Sequence, residues 1–252
     1  MPLVTFDFHN TIASCDRWFQ LEIARLAAEI YAALVPAHLP PERIVPEDEL
    51  IRAYRTVRKE VIASGREKDA LASVMATYAA LDITIDPLAA TGIIDRLMHE
   101  AATDIEPIAG VEAAIRTLHA QGCTLAVVSS AIYPPFLDWT LEAFGLRDAF
   151  QTVVTSASAG VYKSDPAIYR HAMELTGFSP HDAVHIGDSP RWDATTAKEA
   201  GMRTVLLASE SADRYADARD LTPPDLTLET FVGAEGELVE FVFRATSVEV
   251  VR

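Results

Sequence analysis

Cysteine is nearly absent from this chain. Two of its 252 residues are cysteines, Cys15 and Cys123. They form no C-x-x-C pair, so neither a disulfide framework nor a thiolate metal site is expected. Positive charge is scarce as well. Lys and Arg number 21 against 37 Asp and Glu, a formal net charge of −16. That balance argues against a broad basic surface for nucleic acid. It leaves room for a small anionic ligand, because a few local donors and a metal outweigh the global field inside a cleft. Long apolar runs are also missing. The longest uncharged stretch, Gln121 to Leu137, contains Ser129, Ser130, Tyr133, Pro134 and Pro135. A membrane-spanning helix needs about 20 mainly apolar residues. The N-terminus enters an apolar strand pattern directly, without a basic start or a small-residue cleavage site. A cytoplasmic protein with neither membrane nor nucleic acid as partner is expected.

Half of the residues are hydrophobic, enough to bury one large core or two small ones. Leu3 to Phe8 reads as a buried strand. From there to about residue 104 the pattern is helical. Phe19, Ile23, Leu26, Ile30 and Leu34 recur at steps of three and four, and Pro36 ends the run. Leu50, Tyr54, Val57 and Val61 mark a second helix that Gly65 stops. Leu71, Val74, Met75 and Tyr78 mark a third, and Asp86-Pro87 opens a fourth. Beyond residue 104 strands and helices alternate. Strands are expected at Cys123–Val128, Thr152–Thr155, Ala183–Ile186 and Thr204–Leu207, with helices between them closed by Gly145, Gly177 and Gly201. Asp225–Leu228 is a candidate edge strand and Gly236–Arg244 a closing helix. Such alternation implies βαβ units and a parallel sheet. The expected architecture is α/β, a doubly wound parallel-sheet core over 1–14 and 105–252, with an inserted all-helical block over 15–104. Ligands of such sheets bind at the carboxyl ends of the strands, near a topological switch point.

Four groups of polar residues fall at or just past predicted strand ends. They are Asp7-Phe8-His9-Asn10-Thr11, Ser129-Ser130, Lys163 ahead of Ser164-Asp165-Pro166, and Gly187-Asp188-Ser189 with Asp193. Each residue type suits phosphoryl transfer. Asp7 can attack phosphorus to give an aspartyl-phosphate that water then breaks down. Asp7 and Asp188 make a hard oxygen site suited to Mg2+. Ser129 and Lys163 can hold phosphoryl oxygens, and Ser130 and Asn10 are further candidates for that contact. Asp193 can cap the helix that follows it and still support the metal from behind.

These residues closely resemble the motifs of the haloacid dehalogenase-like superfamily, in order and spacing, across about 200 residues. Its first motif, D-x-D-x-T/V, stands here as Asp7-Phe8-His9-Asn10-Thr11. Ser129 matches the second, Lys163 the third, and Gly187, Asp188, Ser189 and Asp193 the G-D-S-x-x-x-D fourth. The resemblance implies a Rossmann-like core, a helical cap that closes over a small phosphorylated substrate, and a Mg2+ ion bound by Asp7, the His9 carbonyl and Asp188. It implies a phosphatase, a phosphoric monoester hydrolase.

One position departs from the pattern. Most phosphatases of the family carry an aspartate where His9 stands, as general acid and base. A histidine can take over that role, since its ordinary pKa of about 6.5 suits both proton transfers. Two alternatives stay open. One is cleavage of a phosphonate or another carbon bond, for which Lys59 and Lys68 of the insertion are candidate amines. The other is a catalytically weak protein that binds phosphate esters. The intact Asp188 motif argues against dehalogenation. The other histidines, among them His38, lack metal-ligand spacing, and His185, inside a strand, reads as an ordinary core or edge residue. Arg17 and Trp18 either face the cleft or begin the first cap helix. Arg52, Arg55, Arg58 and Lys59 read as a solvated basic face.

Overall fold

The computed structural model describes residues 1–34, 44–208 and 220–244; Pro36 and His38 lie outside the described residues. Strand β1 (Leu3–Phe6) opens the chain. Strands β2 (Ala13–Ser14) and β3 (Glu106–Pro107) pair antiparallel and pin together the two ends of the helical insertion. Then follow β4 (Thr124–Ser129), β5 (Phe150–Thr155), β6 (Ala183–Gly187), β7 (Arg203–Leu207) and β8 (Leu226–Leu228). Apart from the short β2–β3 pair, the strands form one parallel sheet in the order β5-β4-β1-β6-β7-β8. The expected Rossmann-like core is present, and β1 is central, beside the point where the strand order reverses.

Alternation along the strands divides the apolar residues between two faces. Val4, Phe6, Val127 and Ile186 belong to one cluster, with Ile115, Leu118, Phe136 and Leu141 of the helices Val111–Ala120 and Pro135–Ala143. Leu3, Ala126 and Val128 belong to the other, with Ile168, Tyr169 and Met173 of the helix Ala167–Thr176. Helices therefore cover both faces, which is why every residue of β1 is buried.

The insertion contains α1 (Asp16–Gln20), a π-helical turn (Leu21–Arg25), α2 (Leu26–Leu34), α3 (Glu47–Ser64), α4 (Ala70–Ala80) and α5 (Pro87–Ala101). Their ends follow local chemistry. Three acids occupy the first turn of α3, and Gly65, at φ 69°, closes it in the left-handed conformation. Asp69 caps α4 through the Ala72 N–H at 2.7 Å, and Asp86-Pro87 starts α5 as a cap followed by a pre-set φ.

The insertion packs onto the core without a break. One apolar cluster runs from Val4 and Phe6 through Trp18 to Tyr54 and Tyr78. Hydrogen bonds add to it: Tyr162 N–H to Gly65 O at 2.9 Å, Ala70 N–H to Ile132 O at 3.0 Å, and Ser164 Oγ to Ile62 O at 2.7 Å.

Several elements differ from expectation. The helix expected from Asp193 begins earlier, as a π-helical turn Pro190–Thr196. Strand β5 begins at Phe150, two residues before the expected start. The short helix Ser156–Ala159 carries a Thr155/Ser158 capping box. Serine at its third position is a weaker sequence signal than the usual Glu or Gln. Among the described residues no helix is long and apolar enough to cross a membrane.

Candidate active site

The loop after β1 is a tight turn built from its own backbone. Ile12 and Ala13 N–H groups donate to Phe8 O at 2.8 and 3.0 Å, and Asn10 N–H donates to Ala13 O at 2.8 Å. Asn10 takes φ 60°, a left-handed conformation that asparagine tolerates better than most residues. Buried Phe8 and Ile12 anchor the turn from below. Asp7 is thereby held at the end of β1, where its N–H donates to Ile186 O at 2.8 Å.

Asp7, His9, Asn10, Ser129, Ser130, Lys163, Asp188 and Asp193 all line one cavity of about 350 Å³. Ser129 is the last residue of β4, and Asp188 directly follows β6. The structure thus brings together every site residue expected from the sequence. The roof comes from the insertion: Trp18, Phe19 and Ile23, with Ile62 of α3. Trp18 faces the cleft, whereas Arg17 turns away to Glu29, to which it donates at 2.6 Å through Nη1. His9 stacks on Phe19, ring centroids 4.3 Å apart and planes 10° apart, and its Nε2 lies 3.6 Å from Asp16 Oδ1.

Charge is concentrated on the cavity floor. Carboxylate oxygens of Asp7, Asp188 and Asp193 lie within 4.8 Å of one another, and all three residues are buried. Lys163 is buried beside them. Its Nζ donates to Asp7 Oδ1 at 2.7 Å and to Asp193 Oδ1. Asp193 also accepts from Ser189 N–H at 2.8 Å and faces His185 Nε2 at 3.0 Å. Its oxygens are therefore committed to protein donors, which fits a supporting place behind Asp7 and Asp188. Gly187 makes that place possible, because a Cβ there would come within 2.2 Å of Asp193 Cγ.

The electrostatics follow from burial and counting. Burial raises the Asp7 carboxyl to about 7; Asp193 and Asp188 reinforce the rise, and Lys163 opposes it. Burial would raise Asp193 too, but Lys163 and His185 hold it well below the usual carboxylate range. Burial alone would lower Lys163, yet Asp193 and Asp7 keep its ammonium well above its ordinary value. Among the described residues, Asp7 and Asp193 share the Lys163 ammonium, and Asp188 lies in the same buried acidic group.

His185 is the residue that sequence reading undervalued. It is fully buried, and burial lowers it to about 4, so at neutral pH the ring is uncharged. Nδ1 faces the Thr5 hydroxyl at 2.7 Å while Nε2 faces Asp193. The consistent assignment has Thr5 donating to Nδ1 and Nε2–H donating to the carboxylate. Thr5 and His185 are register partners on adjacent strands, both on the face of the sheet opposite Val4 and Ile186. Two polar residues inside otherwise apolar buried strands were the available signal, since buried polar groups find partners.

The basic stretch of α3 is only partly a solvated face. Arg58 is buried and spans both oxygens of Glu67, at 2.7 and 3.3 Å. Arg52 faces Asp48, one turn back on the exposed surface. Of the candidate amines for carbon-bond cleavage, neither Lys59 nor Lys68 lines the cavity that holds Asp7.

A family model described as haloacid dehalogenase-like hydrolase matches residues 1–201. Haloacid dehalogenase-like hydrolase domain-containing protein 3 of Mus musculus is 28% identical over 235 residues, which cover 89% of this chain and 88% of that protein. Among solved structures, a 2-haloacid dehalogenase from Pseudomonas syringae pv. Tomato DC3000 matches with a TM-score of 0.68 at 22% identity, over 96% of this chain and 99% of its own. A HAD phosphatase from Thermococcus onnurineus matches with a TM-score of 0.63 at 20% identity, over 94% and 98%. The two structures share this fold and are named for different reactions, so the reaction has to be argued from the site.

Proposed function

Because the chain belongs to the haloacid dehalogenase-like hydrolase family, we propose that it is a Mg2+-dependent phosphatase that cleaves a small phosphorylated metabolite through an aspartyl-phosphate on Asp7. The observation that carries this reading is the cluster of Asp7, Asp188 and Asp193 around Lys163, at the floor of a cavity that also holds Ser129.

The donor set fits a hard divalent cation. It is all carboxylate, buried and tightly grouped. Asp7, Asp188 and the backbone carbonyl of His9 would hold Mg2+, with Asp193 behind them. When bound, the ion would offset the repulsion between anionic Asp7 and an anionic substrate.

The remaining steps belong to the chain's own side chains. An Asp7 oxygen attacks phosphorus as the bond to the ester oxygen breaks. Protonated His9 gives its proton to the departing oxygen. Neutral His9 then takes a proton from water, which attacks the same phosphorus and releases inorganic phosphate and Asp7. Ser129 and Lys163 hold the non-bridging oxygens throughout, with Ser130 and Asn10 beside them. Charge redistributes onto those oxygens in the transition state, where fixed donors have most effect. The phenyl ring of Phe19 fixes the plane of His9. Cys15 and Cys123, both buried and free, fit a reducing cytoplasmic compartment.

The test is phosphate release from a panel of phosphomonoesters and p-nitrophenyl phosphate, with Mg2+ and with chelator, on wild type, Asp7→Asn and His9→Ala. Turnover that requires both Mg2+ and Asp7 is expected. His9→Ala should lose turnover of alkyl esters while sparing the activated aryl ester, whose leaving group needs no proton. Folded protein that binds Mg2+ and turns over no ester would overturn the reading.

A further inference from the structure

A second cavity, of about 290 Å³, adjoins the first and shares Phe19, Ile23, Ile62, Ser130 and Tyr162 with it. A molecule with its phosphoryl group over Asp7 can therefore extend along this shared wall into the second space. On its far side stands α3, with Arg55, Arg58 and Lys59.

These cations are not equivalent. Arg58 is neutralised by Glu67 and further donates to Lys68 O and Ser73 Oγ, both at 3.3 Å. Arg55 and Lys59 lie four residues apart, on the same side of the helix, and both are exposed. Neither forms an ion pair among the described residues. The acid in the cavity wall is Glu22, which is buried and accepts the Ile132 N–H at 2.9 Å. Burial raises it to about 8, so near neutral pH it is mostly uncharged and does not cancel the two cations. In a chain with a net charge of −16, two uncompensated cations at the mouth of a cavity form a local exception.

We propose that this cavity binds a second anionic group of the substrate through Arg55 and Lys59, so that the substrate is a phosphorylated small molecule with a carboxylate or further phosphoryl group at its other end. The assignment of the first group rests on the phosphatase reading; the second stands on α3 and the shared wall. Ser130 and Tyr162 supply polar atoms between the two ends, and Phe19, Ile23 and Ile62 accommodate a carbon chain. Cationic ends would be repelled, and uncharged ends would leave both cations without a partner.

The experiment separates the two readings. Asp7→Asn protein, with Mg2+, is titrated calorimetrically with ω-phosphorylated carboxylic acids of increasing length, with α,ω-bisphosphates, and with alkyl monophosphates matched to them. One of the two series with a second anionic end should bind at least about tenfold more tightly than its matched alkyl ester, as charge-assisted hydrogen bonds require. Which series gains identifies the group. Adding Arg55→Ala and Lys59→Ala should remove most of that gain, as should high salt. Equal affinities at every length, or a gain that survives loss of both cations, overturns the subsite. Hydrolysis by wild type is scored separately. Turnover without any charge preference in binding defeats the subsite alone; a charge preference that depends on Arg55 and Lys59, without turnover, defeats the phosphatase reading alone.

Discussion

Two buried charge clusters lie in this protein, one under the strand ends and one in the helical insertion, and they balance differently. In the insertion, Arg58 meets both oxygens of Glu67. The nearby acid, Glu22, is pushed up to about 8 by burial and is mostly neutral near pH 7. One cation faces one anion. Under the strands, Asp7 and Asp193 share the Lys163 ammonium, Asp188 lies beside them, and buried His185, pushed down to about 4, adds no charge. Burial tolerates charge only when something compensates it. A cluster complete in itself has a structural role. Three buried carboxylates with oxygens within 4.8 Å of one another make a group that a bound divalent cation would suit.

The sharpest break in this comparison is Asp7→Asn. It should lower kcat for phosphate release by about 10⁴-fold or more, as expected when a nucleophile is lost. The same change should stabilise metal-free protein. The Asp7 carboxyl is raised from its ordinary value to about 7, so its contribution to stability is complete below the ordinary value and lost as pH rises through 7. Thermal midpoints with chelator should fall over that window in wild type and fall less in Asp7→Asn. The opposite slope would mean that Asp7 is already ionised in the metal-free protein below neutral pH.

The insertion should answer in stability. Glu67→Ala strands the buried Arg58 charge and should cost about 3–5 kcal/mol by urea unfolding. Replacing both partners, Arg58→Met with Glu67→Leu, should recover most of that loss. A double variant as weak as the single one would mean that the pair does more than balance itself.

Smaller effects sharpen the picture further. His185→Phe removes a donor from the buried Asp193 carboxylate and a partner from Thr5, and should cost roughly 1–3 kcal/mol. Glu22→Gln keeps an acceptor for the Ile132 N–H but cannot ionise. Wild type should lose stability as pH rises from the ordinary carboxylate range through about 8, since the folded protein resists an ionisation that the unfolded chain allows. The variant should lack that slope, which is at most about 1.4 kcal/mol per pH unit within the window. Parallel curves would mean that Glu22 is already ionised at neutral pH.

Much of this was legible in the sequence, for physical reasons. Strand ends are punctuated by residues that cannot continue a buried strand, so Asp7, Ser129 and Asp188 announced themselves; Lys163, expected just past a strand, instead follows the short helix Ser156–Ala159, and its signal was the Asp165-Pro166 helix start behind it. The structure gathers them, with His9, Asn10, Ser130 and Asp193, around one cavity. His185 was hidden because its importance depends on register with Thr5, a residue 180 positions away. Glu22 was hidden because an acid in a helical run reads as solvent-facing, whereas its burial depends on Ile132, a residue 110 positions away whose N–H it accepts. Arg58 read as solvated because a helical run of basic residues does not reveal that Glu67 waits beyond the helix end. β2 and β3, two residues each, are too short for any periodicity to register.

The central place of β1 has a consequence for synthesis. β1, which leads into Asp7, is synthesised before both of its hydrogen-bonding neighbours, β4, which begins at Thr124, and β6, which begins at Ala183. At ribosomal speeds of about 5–20 residues per second, Asp193 follows Asp7 by roughly 10–40 s. For that interval the aspartate at the end of β1 has neither its lysine nor its companion carboxylates. The buried acidic group is therefore assembled late, and its geometry exists only once its last contributors have emerged.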